Sequence, residues 1–165
     1  MGKVVRVFIH GLDSSSRGTK GAFFRERYPG MILEDYAGPL EARMDKLGRD
    51  LAGRDNLILV GSSYGGLMAA LFACGNESRI RCLILLAPAL GLADFGGCPG
   101  PLKIPVTLYH GRFDDVVLLE PTFGIASKLF ANLDHHSVDD DHDLHRIFPH
   151  LDWDGLLEIP NKAFS

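Results

Sequence analysis

The stretch LILVGSSYGGLMAALFACG, Leu57–Gly75, decides how this chain is read. An aliphatic run leads into two serines set between glycines, and an Ala/Leu/Met-rich run follows. Apolar on both faces and then suddenly tight, the pattern predicts a buried strand turning directly into a helix. Gly61-Ser62-Ser63-Tyr64-Gly65 fits G-x-S-x-G, a spacing with a physical cause. At so sharp a turn the strand and helix backbones nearly touch, and a side chain at either flanking position would clash. The apex serine is forced into a strained conformation that exposes its hydroxyl at a helix N-terminus, where free N–H groups favour negative charge. Ser63 has glycine two residues before and two after, whereas Ser62 has Val60 and Tyr64 there. Ser63 is the candidate nucleophile. The competing reading is a turn in which glycine and serine cluster for conformational reasons alone.

Outward from this stretch, strands and helices alternate. Lys3–His10 (KVVRVFIH), Gly30–Tyr36 (GMILEDY), Asn56–Gly61, Ile80–Leu90 and Ile104–Gly111 read as strands, with a last short one at His135–Asp140. Helices are expected around Lys20–Arg27 and over Pro121–Leu133. Leu40, Met44, Leu47 and Leu51 recur at helical spacing and predict an amphipathic helix between the second and third strands. A helix after His142 should break or kink at Pro149. Strands apolar on both faces and separated by helices imply an α/β protein, a three-layer sandwich with a mostly parallel central sheet. Residues 1–165 are expected to form a single domain, since no linker or repeat divides them. Gly91–Pro105, rich in Gly and Pro, follows a strand and should lie at the C-terminal edge of the sheet, where ligands bind.

Composition narrows the function classes. A net charge of −4 offers no basic field for a polyanion, so nucleic acid is not an expected partner. No apolar stretch reaches membrane-spanning length, and the N-terminal run is too short for a signal peptide. Gly2 is not read as a myristoylation site, because Arg6 stands where Ser or Thr is required. The three cysteines, Cys74, Cys82 and Cys98, are odd in number and without C-x-x-C spacing. Cys74 and Cys82 read as buried free thiols, and a reducing, cytoplasmic setting is expected. Oligomeric state is not legible.

A serine nucleophile needs a base and an acid that orients the base. Past the strand Ile104–Gly111, the segment YHGRFDDVV carries Asp114 and its neighbour Asp115, with Asp94 after the preceding strand as an outside candidate. DDDHDLH, Asp139–His145, offers His142 near the strand end and His145 one turn later, where it would cap or pack on the helix. His10 and His110, each at a strand end before glycine, read as loop braces, and His135, His136 and His150 as surface or partly buried positions. Asp139–His145 could alternatively hold a metal ion, but three successive aspartates rarely converge on one ion and no glycine supplies a calcium-loop turn. The backbone N–H groups of Tyr64 and of Leu12, just after His10-Gly11, are the candidate oxyanion donors.

With these residues in hand, the chain resembles the α/β-hydrolases. FIHGLDSS is similar to the family's His-Gly oxyanion loop and VGSSYGG to its elbow. YHGRFDDVV resembles its H-G-x-x-D-x-x-V acid segment, a register that selects Asp114 with Val117 trailing. DDDHDLH resembles its histidine loop and aligns His142. HGLDSSSRGTK and GSSYGGLMAAL look more narrowly like compact YqiA-like esterases. The resemblance implies an α/β-hydrolase fold; the chain is short for that fold, so a minimal form without the lid domain or the usual N-terminal antiparallel strands is expected. It also implies a Ser63–His142–Asp114 triad cleaving a carboxylic ester or thioester of a small acyl group, with no cofactor and no metal. A small-molecule acyl ester would be the partner, bound in a shallow, open pocket. The rival expectation is a ligand-binding module that keeps the fold without the chemistry.

Overall fold

Short apolar runs that cannot end in polar surface must pair on both edges and be covered on both faces. The computed structural model, which describes residues 2–160, satisfies this with one six-stranded sheet. Its strands are β1 (Val5–Ile9), β2 (Ile32–Leu33), β3 (Leu57–Ser62), β4 (Ile80–Leu86), β5 (Val106–Gly111) and β6 (Leu133–Val138). They lie in the order β2-β1-β3-β4-β5-β6, and every neighbouring pair is parallel. Among the described residues the α-helices are α1 (Thr19–Arg27), α2 (Leu40–Asp50), α3 (Tyr64–Asn76), α4 (Leu119–Leu129) and α5 (Trp153–Leu156).

The period-two alternation of the strands sorts the core into two layers. Val7, Ile9, Leu57, Leu59, Leu83, Leu85 and Leu108 pack with Leu47 and Leu51 at the end of α2, Met68 of α3 and Ala126 of α4. Phe8, Ile58, Val60, Ile84 and Leu86 face the other way, toward Phe24 of α1, Phe148 and Trp153. The result is the expected three-layer sandwich. α3 is apolar on all sides and correspondingly buried, from Gly65 to Ala73 nearly without break. Among the described residues no helix is long and apolar enough to cross a membrane.

The strand order reverses between β1 and β3, so the chain winds outward in both directions from that point and leaves a crevice at the strand C-termini. Loops bearing Leu12, Ser63, Asp114 and His142 all leave the sheet there, after β1, β3, β5 and β6.

Three expectations change. The second strand is only two residues long, because the remainder of Gly30–Tyr36 runs past the sheet toward α2. No α-helix begins directly after His142: residues 142–147 form turns, Leu144 takes a positive φ of 55°, Pro149 sits in a short 3-10 turn, and α5 starts only at Trp153. Backbone N–H groups that a helix would have used are claimed there by a carboxylate, as described below. Cys74 is not a free thiol: it is disulfide-bonded to Cys98, with Cα atoms 4.9 Å apart. The fold carries Gly91–Pro105 back over the end of α3, a meeting that residue spacing does not reveal. That segment is further fixed by the buried Leu102, which bridges to Phe130. Cys82 remains free, its thiol pushed up to about 11 by burial.

Candidate active site

Ser63 stands between β3 and α3 with φ 55° and ψ −113°, a left-handed conformation that costs a non-glycine residue about 1–3 kcal/mol. Its surroundings leave no alternative. Ser63 N–H donates to Leu86 O at 2.9 Å, while Ser63 O accepts from Ala89, Gly66 and Leu67 at 2.9, 3.0 and 3.2 Å. The flanking glycines are required by contact distance. A Cβ on Gly61 would lie 2.4 Å from Gly65 O, and one on Gly65 would lie 2.0 Å from Ile9 O.

A continuous hydrogen-bonded chain runs from this hydroxyl. Ser63 Oγ lies 3.0 Å from His142 Nε2, and His142 Nδ1 lies 2.7 Å from Asp114 Oδ2. With Nδ1 protonated, His142 donates to the carboxylate and presents a lone pair to the serine. Asp114 is buried, and each of its oxygens is committed. Oδ1 accepts from the amides of Val116 and Val117 at 2.9 and 2.8 Å, and Oδ2 also lies 3.3 Å from His110 Nε2. Asp115 is exposed, and Asp94 caps its own loop at Gly96. Of the candidate acids only Asp114 meets His142.

The run Asp139–His145 divides its labour. Asp139 pairs with Arg112, and Asp141 pairs with His145 at 2.6 Å. That hydrogen bond holds the Asp141 carboxyl below its ordinary range and the His145 imidazole above its own. Asp140 is buried and accepts from the amides of Asp141, Arg146 and Ile147 at 2.8, 3.0 and 2.9 Å. It organises the loop that presents His142, a role no local pattern signalled. Among the described residues no group of three His, Cys, Asp and Glu side chains is arranged to hold a metal ion.

Leu12 and Tyr64 both line the cavity at Ser63, and among the described residues neither amide donates to a protein acceptor. A Cβ on Gly11 would lie 3.5 Å from Ser63 Cβ, so the first loop runs against Ser63. His10 braces that loop: Nδ1 donates to Gly11 O at 2.7 Å and Nε2 accepts from Tyr36 N–H at 2.9 Å. His110 likewise donates to Val117 O, at 2.7 Å.

The cavity has a volume of about 820 Å³. Leu92, Val116, Leu118, Pro121 and Ile125 form an apolar wall, and Ser14, Lys20 and His145 lie on a polar one. Lys20 donates to Asp143 O at 2.7 Å and rests over the Phe148 ring. Burial lowers its pKa, against the opposing pull of Asp143, Asp141 and Asp140. Sequence reasoning did not single out this lysine.

The family described as alpha/beta hydrolase fold matches residues 10–123, well over half of the chain. No curated protein sequence matches it. Among solved structures it is similar to the alpha/beta hydrolase domain-containing protein 10 from mouse, at 20% identity over 87% of this chain and 84% of that one, with a TM-score of 0.72. Est1E from Butyrivibrio proteoclasticus is similar at 17% identity over 94% and 86%, also with a TM-score of 0.72. An esterase from a marine microorganism is similar at 14% identity over 97% and 96%, with a TM-score of 0.70. At these identities the likeness is one of fold.

Proposed function

Because the chain belongs to the alpha/beta hydrolase fold family, we propose that it is a serine hydrolase that cleaves a carboxylic ester, or the corresponding thioester, through an acyl-enzyme. The observation that carries this reading is the unbroken chain Ser63–His142–Asp114, with contacts of 3.0 and 2.7 Å. A hydrogen bond to a nitrogen base whose far side is fixed by a buried carboxylate is what a serine needs to become nucleophilic.

Ser63 Oγ attacks the acyl carbon as His142 Nε2 takes its proton. Asp114 stabilises the resulting imidazolium and keeps its orientation. The carbonyl oxygen, now negative, is received by the amides of Leu12 and Tyr64, donors worth about 3–4 kcal/mol each in comparable sites. Collapse of the tetrahedral adduct expels the alcohol, which takes the proton from His142. Water, deprotonated by the same imidazole, then attacks the acyl-serine and releases the carboxylic acid. The scheme uses no metal or organic cofactor.

A cavity of about 820 Å³ with apolar residues in its lining supports a small acyl group and, equally, a medium-length chain. Turnover of p-nitrophenyl acetate and butyrate by wild type and Ser63→Ala tests the reading. The variant is expected to lose at least about a thousandfold in kcat/KM. Equal rates, or a fluorophosphonate label mapped to another residue, would overturn it.

A further inference from the structure

The arginines that form ion pairs, Arg79, Arg81 and Arg112, do so at or near the surface with Asp55, Glu158 and Asp139. Arg43 of α2 is different. Its side chain is buried, and among the described residues no carboxylate pairs with it. Nε donates to Gly38 O at 2.9 Å, Nη2 reaches Leu12 O at 3.5 Å, and Nη1 is buried with no partner at all. The guanidinium carbon lies 5.2 Å from the centre of the Tyr64 ring.

A guanidinium does not escape burial by losing its proton, so this charge persists. Carbonyl dipoles and an aromatic face compensate it only in part, and an uncompensated buried charge is costly. The two contacts toward the cavity are informative, because Leu12 and Tyr64 are the residues whose amides are assigned to the oxyanion. The cation thus touches both residues that carry those amides, one through its carbonyl and the other through its ring.

We propose that Arg43 is a positioning residue for the oxyanion hole: it holds Leu12 and Tyr64 in place and its buried charge raises the electrostatic potential where the oxyanion forms. The inference rests on the Ser63 reading above. The ester is neutral in the ground state and negative at the carbonyl oxygen in the transition state, so the effect falls on kcat and leaves KM nearly unchanged.

The experiment compares wild type with Arg43→Met and Arg43→Lys, counting active sites by stoichiometric fluorophosphonate labelling. Per labelled site, Arg43→Met is expected to lose about tenfold to a hundredfold in kcat on p-nitrophenyl butyrate, with KM changed by less than about twofold. Arg43→Lys, which keeps the charge, recovers most of that loss. Inhibition by a phenylboronic acid, which forms an anionic tetrahedral adduct, weakens with kcat, while inhibition by the neutral, unreactive N-phenylbutyramide does not change. Full kcat per labelled site in Arg43→Met, with only a lowered melting temperature, would overturn the inference and leave Arg43 a packing residue. If Arg43→Met does not fold, Arg43→Gln is read against the same outcomes. Absence of Ser63 labelling in the wild type defeats the underlying reading, and this inference with it, before any Arg43 variant is compared.

Discussion

Around Ser63 the chain is packed backbone against backbone, whereas around His142 it is held by hydrogen bonds to carboxylates. At the elbow, β3 and α3 approach so closely that Gly61, Gly65 and Ile9 carbonyls leave no room for a Cβ. The histidine loop has no regular structure of its own. Buried Asp140 gathers three of its amides, Phe113 N–H donates across to Asp140 O at 3.1 Å, and Gly111 passes within contact of the same carbonyl. The geometry at Ser63 is thus set by the absence of atoms, and that at His142 by the presence of one buried carboxylate. The first kind of restraint fails completely when violated. The second fails by degrees.

Gly65→Ala should therefore have the largest effect. With a backbone oxygen 2.0 Å from the new Cβ, nothing flexible can move aside. We expect loss of more than about 3 kcal/mol, beyond most single substitutions, seen as a collapse of the urea midpoint or as insoluble protein. A Gly65→Ala variant of near wild-type stability would end the contrast between the two regions.

Next comes the covalent tie at the far end of α3. Cys98→Ser opens a loop with a sequence separation of 24 and should cost about 3 kcal/mol by loop-closure entropy. Reducing the wild type with dithiothreitol should lower its urea midpoint to match. The elbow itself should stay assembled, with Ser63 still labelled by fluorophosphonate at native rate.

Asp140→Asn sharpens the other half. The amide keeps one acceptor and loses the charge, so the loop should loosen by about 1–2 kcal/mol. The catalytic effect should be larger than that stability loss implies, about tenfold or more in kcat/KM, because small displacements of the base are amplified. Hydrogen exchange should quicken over 139–147 and not over 61–67. Uniform change across both segments would show that they are not held independently.

The smallest effect concerns His135 on β6, the strand that feeds the histidine loop. Burial lowers its pKa, with His110 and His136 acting in the same sense and Glu120 against it. Its folded value lies below the unfolded value of about 6.5. Stability is therefore whole above that pH and declines as pH falls toward the folded value, where the unfolded chain binds the proton more readily. The melting temperature of wild type should fall between pH 7 and 5 more steeply than that of His135→Phe. Parallel slopes would remove His135 from the account.

The same contrast explains what was legible in the sequence. A restraint made of missing side chains appears directly as glycine spacing, so Ser63 and the strand-to-helix turn could be read from a few residues. Asp114 and Asp115 could not be told apart from the residues alone; the resemblance of YHGRFDDVV to the family's acid segment singled out Asp114. Asp140, by contrast, looks like one of three interchangeable aspartates until its burial is known. Because it takes the amides of Arg146 and Ile147, it also undid the helix expected after His142. Cys74 and Cys98 were unreadable as a pair for a related reason: their meeting depends on where a connection returns, not on local pattern. Arg43 fits an amphipathic helix as a surface residue, and only the packing of α2 against the first loop makes it buried.

The apolar residues exposed at the cavity carry one more consequence. Leu12, Leu92, Val116 and Leu118 are each about half or more accessible and all line it. On the proposed chemistry, a substrate chain laid across them would drive water from above the Leu12 and Tyr64 amides, and every charge interaction beneath it would strengthen as the local dielectric falls. Lengthening the acyl chain would then be felt as faster turnover as well as tighter binding. The substrate itself would serve as a cover over the site.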